Sequence, residues 1–569
     1  MSKLETLPDE ILQEIFQYIN AADLFYSFDQ LNHHFTRLVR DVPLHIDFSR
    51  VTKSIYEQFC QLILSNSQIK RNVVSLRLSN GETFSNIKDF LLANPLDSFI
   101  SLRSLSLLAI DDTDVKIISF ILPSLSSLSH FSFTHNEQFG YNCFISRYGL
   151  ANPQAMNFTW IFPLTNLRRL STPYFYHTLT CVERTVNLTS VTISKCDVDQ
   201  VLQLFAYAPL LKQLQIDREL KSEKKIEEFT TTAVNAVHLT KCIIYSCESS
   251  FKELEFLLKY TPNLRILSLK NGDNIDMINA IRWQELIEFS LKYLSSFQFV
   301  FSLDGGIDDL QAMLDIFSKF QGDFWHKQHR WYTNWQIEEY SASIYTIPYP
   351  GNDFYLHSPI DLLNSVLSND THIFDNVKTL SVEVDQNPRN LPYYFRNVRS
   401  LELNICPENN QPGLTYGTFL SSIVNVLNVT HLAIDRHCKV SQSGLIDVLK
   451  ILPHVSSLRI VRNTFENIHT NAELCKLLKG LCIKKLDVYV SDYRQSYAPE
   501  KINIKTCQQF PNLEELNCEC VIKIEDLLSL LRAYPKLSYL KIRHIGKSIV
   551  SWMVGEILDI HIDFEAIIY

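Results

Sequence analysis

Few side chains in this 569-residue sequence are of the types and at the spacings that do chemistry. The stretch "HKQH" sets His326 and His329 three apart beside aromatic residues. Two imidazoles at that spacing suit a divalent cation, but no Cys or carboxylate nearby completes a ligand set. Cys518 and Cys520 form a Cys-x-Cys pair without a matching second half, and the same holds for "CESSFKE", which follows Cys242. There is no G-x-x-x-x-G-K-[ST], no G-x-G-x-x-G and no G-x-S-x-G. Only 14 glycines occur in the chain, too few to favour phosphate-cradling loops. "KSEKK" (221–225) is a short basic run and reads as a solvated turn. The expectation is a protein without a catalytic centre, a metal or a cofactor.

The elements must then serve binding. Hydrophobic residues make up 46% and charged residues 20%, the balance of a packed protein. A net charge of −9 argues against a general grip on nucleic acid. No run approaches the roughly 18 apolar residues of a membrane span. The N-terminus shows no basic region ahead of an apolar core, so no export signal is read. The 13 cysteines are odd in number and scattered, which predicts reduced, buried thiols and a cytoplasmic or nuclear location. "NLT" at Asn187 and "NVT" at Asn428 match glycosylation acceptors, but their recurring position points to a structural use.

The chain opens with "LPDEILQEIFQYI" (7–19). Leu7, Ile11, Leu12, Ile15, Phe16 and Ile19 fall on one wide helical stripe. Thr6 is placed to cap this helix, Pro8 suits its first turn, and Asp9 and Glu10 suit the positive end of its dipole.

After residue 70 the sequence repeats itself. "PLLKQLQI" (209–216), "PNLRILSL" (262–269), "PHVSSLRI" (453–460), "PNLEELNC" (511–518) and "PKLSYLKI" (535–542) share one spacing of apolar residues. "NLTSVTI" (187–193), "NVKTLSV" (376–382), "NVRSLEL" (397–403) and "NVTHLAI" (428–434) replace the Pro with an Asn just before the first apolar residue. Looser copies include "VVSLRL" (73–78), "LRSLSL" (102–107), "VNAVHL" (234–239), "SSFQFV" (295–300) and "IKKLDV" (483–488). "LPSLSSLSHFSF" (122–133) fits in two registers. Each unit reads as a turn entering a short strand, and amphipathic helical patterns fill the intervals. One unit cannot bury its own apolar face, so units must stack into an array with a parallel sheet on one side and helices on the other. The period of about 20 to 30 residues is that of leucine-rich repeats. The spacing breaks between about 303 and 372, where strands are expected near "HRWYTNWQI" and "ASIYTIPY", as aberrant repeats or an insertion.

With the repeats placed, residues 7–39 resemble the F-box, through Leu7-Pro8, Glu10, Ile11, Leu12, Ile15, Phe16, Ile19, Asp23-Leu24, Leu31 and Phe35. Phe35 stands where that family commonly has Trp. The whole chain resembles F-box/leucine-rich-repeat proteins. The expected fold is α/β: an all-helical F-box over 1–48, then a leucine-rich-repeat solenoid over 49–569. The resemblance implies a substrate receptor of an SCF-type ubiquitin ligase, with an adaptor subunit and, through it, a cullin as partners. Adaptor contacts would fall at Leu7, Pro8, Ile11, Leu12, Ile15, Phe16, Ile19 and Leu24. A protein substrate would lie on the polar strand face, with Glu383, Glu402 and Asp435 as acids and Trp325, Trp331 and Trp335 as anchors. The competing reading of the tryptophans is core filling. The competing reading of the whole is a repeat scaffold or enzyme regulator outside the ubiquitin system, its first helix a simple cap.

Overall fold

The computed structural model describes residues 3–48, 53–80, 87–135, 165–174, 186–222, 226–229, 234–272, 275–304, 310–337, 341–356, 362–363, 372–384, 393–405, 416–434, 441–489, 506, 509–521, 524–546 and 561–568. The chain divides into two compact units, Met1–Phe297 and Gln298–Tyr569.

In the first unit, three helices (Asp9–Phe16, Ala21–Phe28 and His33–Asp41) precede the strands. These are β1 (Leu44–Asp47), β2 (Val73–Ser79), β3 (Ser104–Ile110), β4 (His130–His135), β5 (Arg169–Tyr174), β6 (Ser190–Asp197), β7 (Gln213–Lys221), β8 (Lys241–Ile244) and β9 (Ile266–Gly272). Each pairs in parallel with the next in chain order. A strand β10 (Ser296–Asp304) spans the division between the units. In the second unit β10 pairs antiparallel with β12 (Ser341–Ile347), and β12 pairs antiparallel with β11 (Tyr332–Ile337). Thus the two strands expected from the aromatic segment form; β12 runs against β10, and β11, antiparallel to β12, shares the direction of β10. A nine-stranded parallel sheet then starts at β13 (Asp353–Leu356). It continues through β15 (Thr379–Val384), β16 (Ser400–Ile405), β17 (His431–Ile434), β18 (Ser457–Val461), β19 (Lys485–Tyr489), β20 (Glu515–Val521), β21 (Tyr539–Gly546) and β22 (His561–Ile568); β14 is the short Leu362–Leu363.

Register explains the motif. Leu380, Leu401, Leu432, Leu458, Leu486, Leu516 and Leu540 pair in sequence as one buried column. In the first unit the matching column includes Leu76, Leu105, Phe131, Val191, Leu214, Cys242 and Leu267. Two registers are resolved here. In 122–133 the pairing of Phe131 with Leu105 and of Phe133 with Leu107 sets the frame as Leu128, Phe131 and Phe133, with Leu122 and Leu125 buried ahead of it. In 234–244 the set is Leu239, Cys242 and Ile244, whereas Val234 and Val237 are exposed, so "VNAVHL" was the wrong frame. A buried thiol fills the place of a leucine there and hides the pattern.

The Asn before the first apolar residue is a second stacking device. Asn187 Nδ2 donates to the Thr165 carbonyl at 3.0 Å, Asn263 to Val237 at 2.7 Å, and Asn397 to Asp375 at 2.8 Å. Asn376 and Asn428 make the same bond back to Tyr349 and Arg396. Each side chain satisfies a turn carbonyl of the preceding repeat. This is the structural use of the two acceptor-like Asn positions.

Helices close the apolar side. Ser250 and Ser441 cap Phe251–Lys259 and Gln442–Ile451, accepting from Glu253 N–H at 3.4 Å and Gly444 N–H at 3.1 Å. A Cβ on Gly444 would come within 2.8 Å of the Tyr416 ring, so glycine suits the close approach of Gln442–Ile451 to the helix Tyr416–Ile423. Among the described residues of the second unit, one core cluster runs from Val300 and Tyr345 to Ile542.

Two substitutions test this register. Leu267→Asp or Leu540→Asp should destabilise by several kcal/mol, because a charge enters a closed column. Asn263→Ala should cost about 1 kcal/mol by leaving a turn carbonyl to water. Thermal and urea unfolding would check both, and wild-type curves for the leucine variants would contradict the register.

Candidate protein-binding surfaces

The N-terminal module has its own core. Leu12, Phe16 and Leu24 are buried in it, and the Phe16 and Phe35 rings both lean on Phe28, at centroid distances of 4.9 and 5.6 Å. These three residues therefore hold the module together rather than offer a contact surface, which corrects their expected role. Leu7, Pro8, Ile11, Ile15 and Ile19 stay outside or half-buried. Ile11 is 44% exposed and Ile15 40%. Tyr18, at 86% exposure, continues their face at the i, i+4, i+7 spacing. Tyr18 is not legible as part of the apolar stripe, because a half-polar ring does not mark a buried position. Pro8 stands at the N-cap, and its carbonyl accepts from Leu12 N–H at 3.1 Å.

The module is fixed to the repeats. Asn20 Nδ2 donates to the Asp47 carbonyl and Asp47 N–H donates to Asn20 Oδ1, both at 3.0 Å, so one side chain pairs with β1 as a strand would. Asn72 Nδ2 donates to the Arg40 carbonyl at 2.6 Å. Rings of Phe25, Phe59, Phe48 and Phe90 run from module to array in edge contacts of 5.7 to 5.8 Å. Asp9 binds Arg37 at 3.4 Å and His34 at 3.2 Å, tying the first helix to the third.

In the second unit the polar strand face carries Ser381, Glu402, Ala433, Arg459, Asp487, Asn517 and Lys541 in one row. Ser381 Oγ donates to Glu402 Oε2 at 3.1 Å. Arg459 lies 3.3 Å from Asp487 and 4.8 Å over the Tyr489 ring, whose hydroxyl donates to the Ile434 carbonyl. Glu383 and Glu402 are half-buried on this face, and Asp435 lies outside the described residues. His431 Nδ1 and Ser457 Oγ are 2.7 Å apart in the adjacent row. Burial first, then Arg459 and Lys485, lower the His431 pKa below its ordinary 6.5, which outweighs Asp487 and Glu402.

The tryptophans are core. Trp325, Trp331 and Trp335 are all buried. Trp325 meets Phe320 at 4.8 Å and Trp331 at 6.1 Å, and Trp335 meets Phe317 at 6.0 Å. They do not line a surface, which corrects their expected role as substrate anchors. Where the parallel repeat is interrupted, large rings fill the interior. The "HKQH" histidines are absorbed by the same packing: His329 stacks on Trp331 at 4.2 Å, and burial lowers the His326 pKa. Among the described residues no three His, Cys, Asp or Glu side chains form a group able to hold a metal. No helix among them is long and apolar enough to cross a membrane.

No protein-family model matches the chain, and no curated protein does. Solved structures with some likeness include TLR13 in its complex with ssRNA13 (14% identity, TM-score 0.28, covering 94% of this chain and 65% of that one). Others are a leucine-rich-repeat protein of Leptospira interrogans (14%, TM-score 0.21, covering 88% and 98%) and Toll of Drosophila in its complex with Spätzle (10%, TM-score 0.26, covering 91% and 49%). The overlays are too loose to argue from. The leucine columns and the strand-turn-helix order carry the assignment of a mixed α/β repeat array of leucine-rich type.

Trp331→Ala should cost about 3 to 5 kcal/mol, the range for emptying an aromatic site in a core. Unchanged thermal unfolding would contradict its placement. His431 has a lowered pKa when folded, so its contribution is complete above the unfolded value near 6.5 and is lost as pH falls through the folded value. His431→Gln should flatten the loss of stability below that pH. A pH titration of the melting temperature, identical in wild type and variant, would refute this.

Proposed function

We propose that the chain is a non-catalytic receptor that joins two proteins: an adaptor subunit of an SCF-type ubiquitin ligase at its N-terminal module and a protein substrate on its repeats. The observation that carries this reading is the exposed face of Ile11, Ile15 and Tyr18, flanked by Leu7 and Pro8, on a helix whose other side already has a core. A helix that only capped the array would turn its apolar side inward and leave no such face; exposed apolar patches mark interfaces. The F-box-like spelling of residues 7–39 supports the choice of partner.

The bonds from Asn20 and Asn72 support a receptor role, since they hold the docking helices at a set angle to β1. A receptor of this kind raises the effective concentration of a substrate near a transferase, and a stiff connection preserves that gain. The row from Ser381 to Lys541 supports recognition of a protein, because it mixes hydroxyl, acid, amide and cation. Buried Cys196, Cys242 and Cys247 are free thiols, which accords with the cytoplasm or nucleus.

The test is Ile11→Asp with Ile15→Asp. Both side chains are exposed, so the melting temperature should stay within a degree or two while co-purification of the ligase adaptor is lost. Retained co-purification by this folded variant would overturn the reading.

A further inference from the structure

The turn entering each repeat of the first unit places one residue just ahead of its strand. From β3 to β10 these residues alternate strictly: Arg103, Arg168, Lys212 and Arg265 are interleaved with Ser129, Thr189, Thr240 and Ser295. The hydroxyls have a structural duty. Each donates to the backbone carbonyl of the cationic residue before it, at 3.1, 3.1, 3.2 and 3.1 Å. The cations have no such duty. All four are exposed, and none forms an ion pair among the described residues. The Arg168 guanidinium reaches a backbone carbonyl, that of Asn187, at 3.3 Å.

Arg169 and Lys241 add to the same edge at the first strand position. The turns 99–104, 125–131, 165–170, 186–191, 208–214, 235–242, 261–267 and 291–297 contain no Asp or Glu, in a chain with 62 acidic and 53 basic residues. The corresponding edge of the second unit does not keep this alternation: Lys378 and Arg399 stand ahead of adjacent strands, followed by Thr430, Ser456, Lys484, Glu514 and Ser538. There Lys484 and Lys485 are neutralised by Glu514 and Glu515 at 2.8 and 2.7 Å. An uncompensated row of cations is not what general solubility requires, because solvated surfaces mix both signs.

The spacing identifies the ligand class. Neighbouring strands lie about 4.8 Å apart, so cations on alternate strands recur about every 10 Å. A polypeptide extended as a polyproline II helix advances about 3.1 Å per residue with three residues per turn, so acids at every third residue share one face about 9 Å apart and keep step with them. Single-stranded nucleic acid would need a series of stacking rings. These turns offer one exposed aromatic, Tyr293, and otherwise expose aliphatic side chains such as Ile100, Leu210 and Val237. We propose that this edge of the first unit binds an extended acidic polypeptide segment of a partner protein, with its carboxylates over Arg103, Arg168, Lys212 and Arg265. This site does not depend on the ubiquitin-ligase reading.

The probe is a fluorescein-labelled peptide of about eighteen residues with Glu at every third position, titrated with the full chain by anisotropy. Binding should weaken as salt screens the charges. R103E/R168E/K212E/R265E should raise Kd by at least about tenfold, while K378E/R399E on the second unit leaves it unchanged. R103Q/R168Q/K212Q/R265Q repeats the test without adding acids, should the reversed variant fold poorly. Adaptor co-purification by either quadruple variant should match wild type, which separates this site from the docking module. No binding by wild type, equal binding by the glutamine variant, or tighter binding of an oligo-dT of equal charge would each overturn the proposal.

Discussion

No repeat of this chain can close its own backbone or cover its own leucines. The residue ahead of a strand accepts two N–H groups from the next repeat: Arg168 O takes those of Thr189 and Ser190, and Lys212 O takes those of Thr240 and Lys241. The asparagine side chains satisfy the turn carbonyls in the same direction. Stability in such a chain is a sum over neighbours, and a single fault is felt by the repeats on each side of it. Leucine recurs in the column from Leu380 to Leu540 because every copy meets the same surroundings, a strand on either side and the apolar interior behind.

That dependence on neighbours shapes how the ends and interruptions are built. The N-terminal helices do not simply cover β1. They carry an independent core around Phe16, Phe28 and Phe35 and meet the array through Asn20, Asn72 and four phenylalanines. A module with its own core has a second side to spare, and Ile11 and Ile15 are on it. In the second unit, where antiparallel β11 and β12 replace a regular repeat, leucine-sized side chains no longer fill the interior, and Trp325, Trp331 and Trp335 do so instead.

Charge is distributed by a similar logic. On the second unit acids and bases answer one another: Arg459 with Asp487, Lys484 with Glu514, Lys485 with Glu515. Exposed pairs of this kind add little to stability, so their effect is to set the pattern a partner meets. In the first unit the rung carbonyls are saturated by hydroxyls, yet the side chains on those rungs are cations without acids. Structure alone accounts for the hydroxyl half of that alternation.

The sequence by itself determined the period, the alternation and the class of fold, because a strand position in a stacked array demands an apolar residue at fixed intervals whatever the rest of the chain does. It also marked the opening helix and the break near 303 to 372. Register was legible where leucine and asparagine were used, and was lost at Cys242, where a thiol of leucine-like burial carries no leucine signature. Which side of a wide apolar stripe faces inward was not legible: Leu12, Phe16 and Leu24 went to the core and Ile11 and Ile15 to solvent, since that choice depends on where Phe28 and Phe35 arrive from other helices. The tryptophans raised the same ambiguity and tertiary packing resolved it. The row of cations without acid partners also belongs to the tertiary structure, because cations 44 to 65 residues apart in the chain line one edge only when β3 to β9 pair in order.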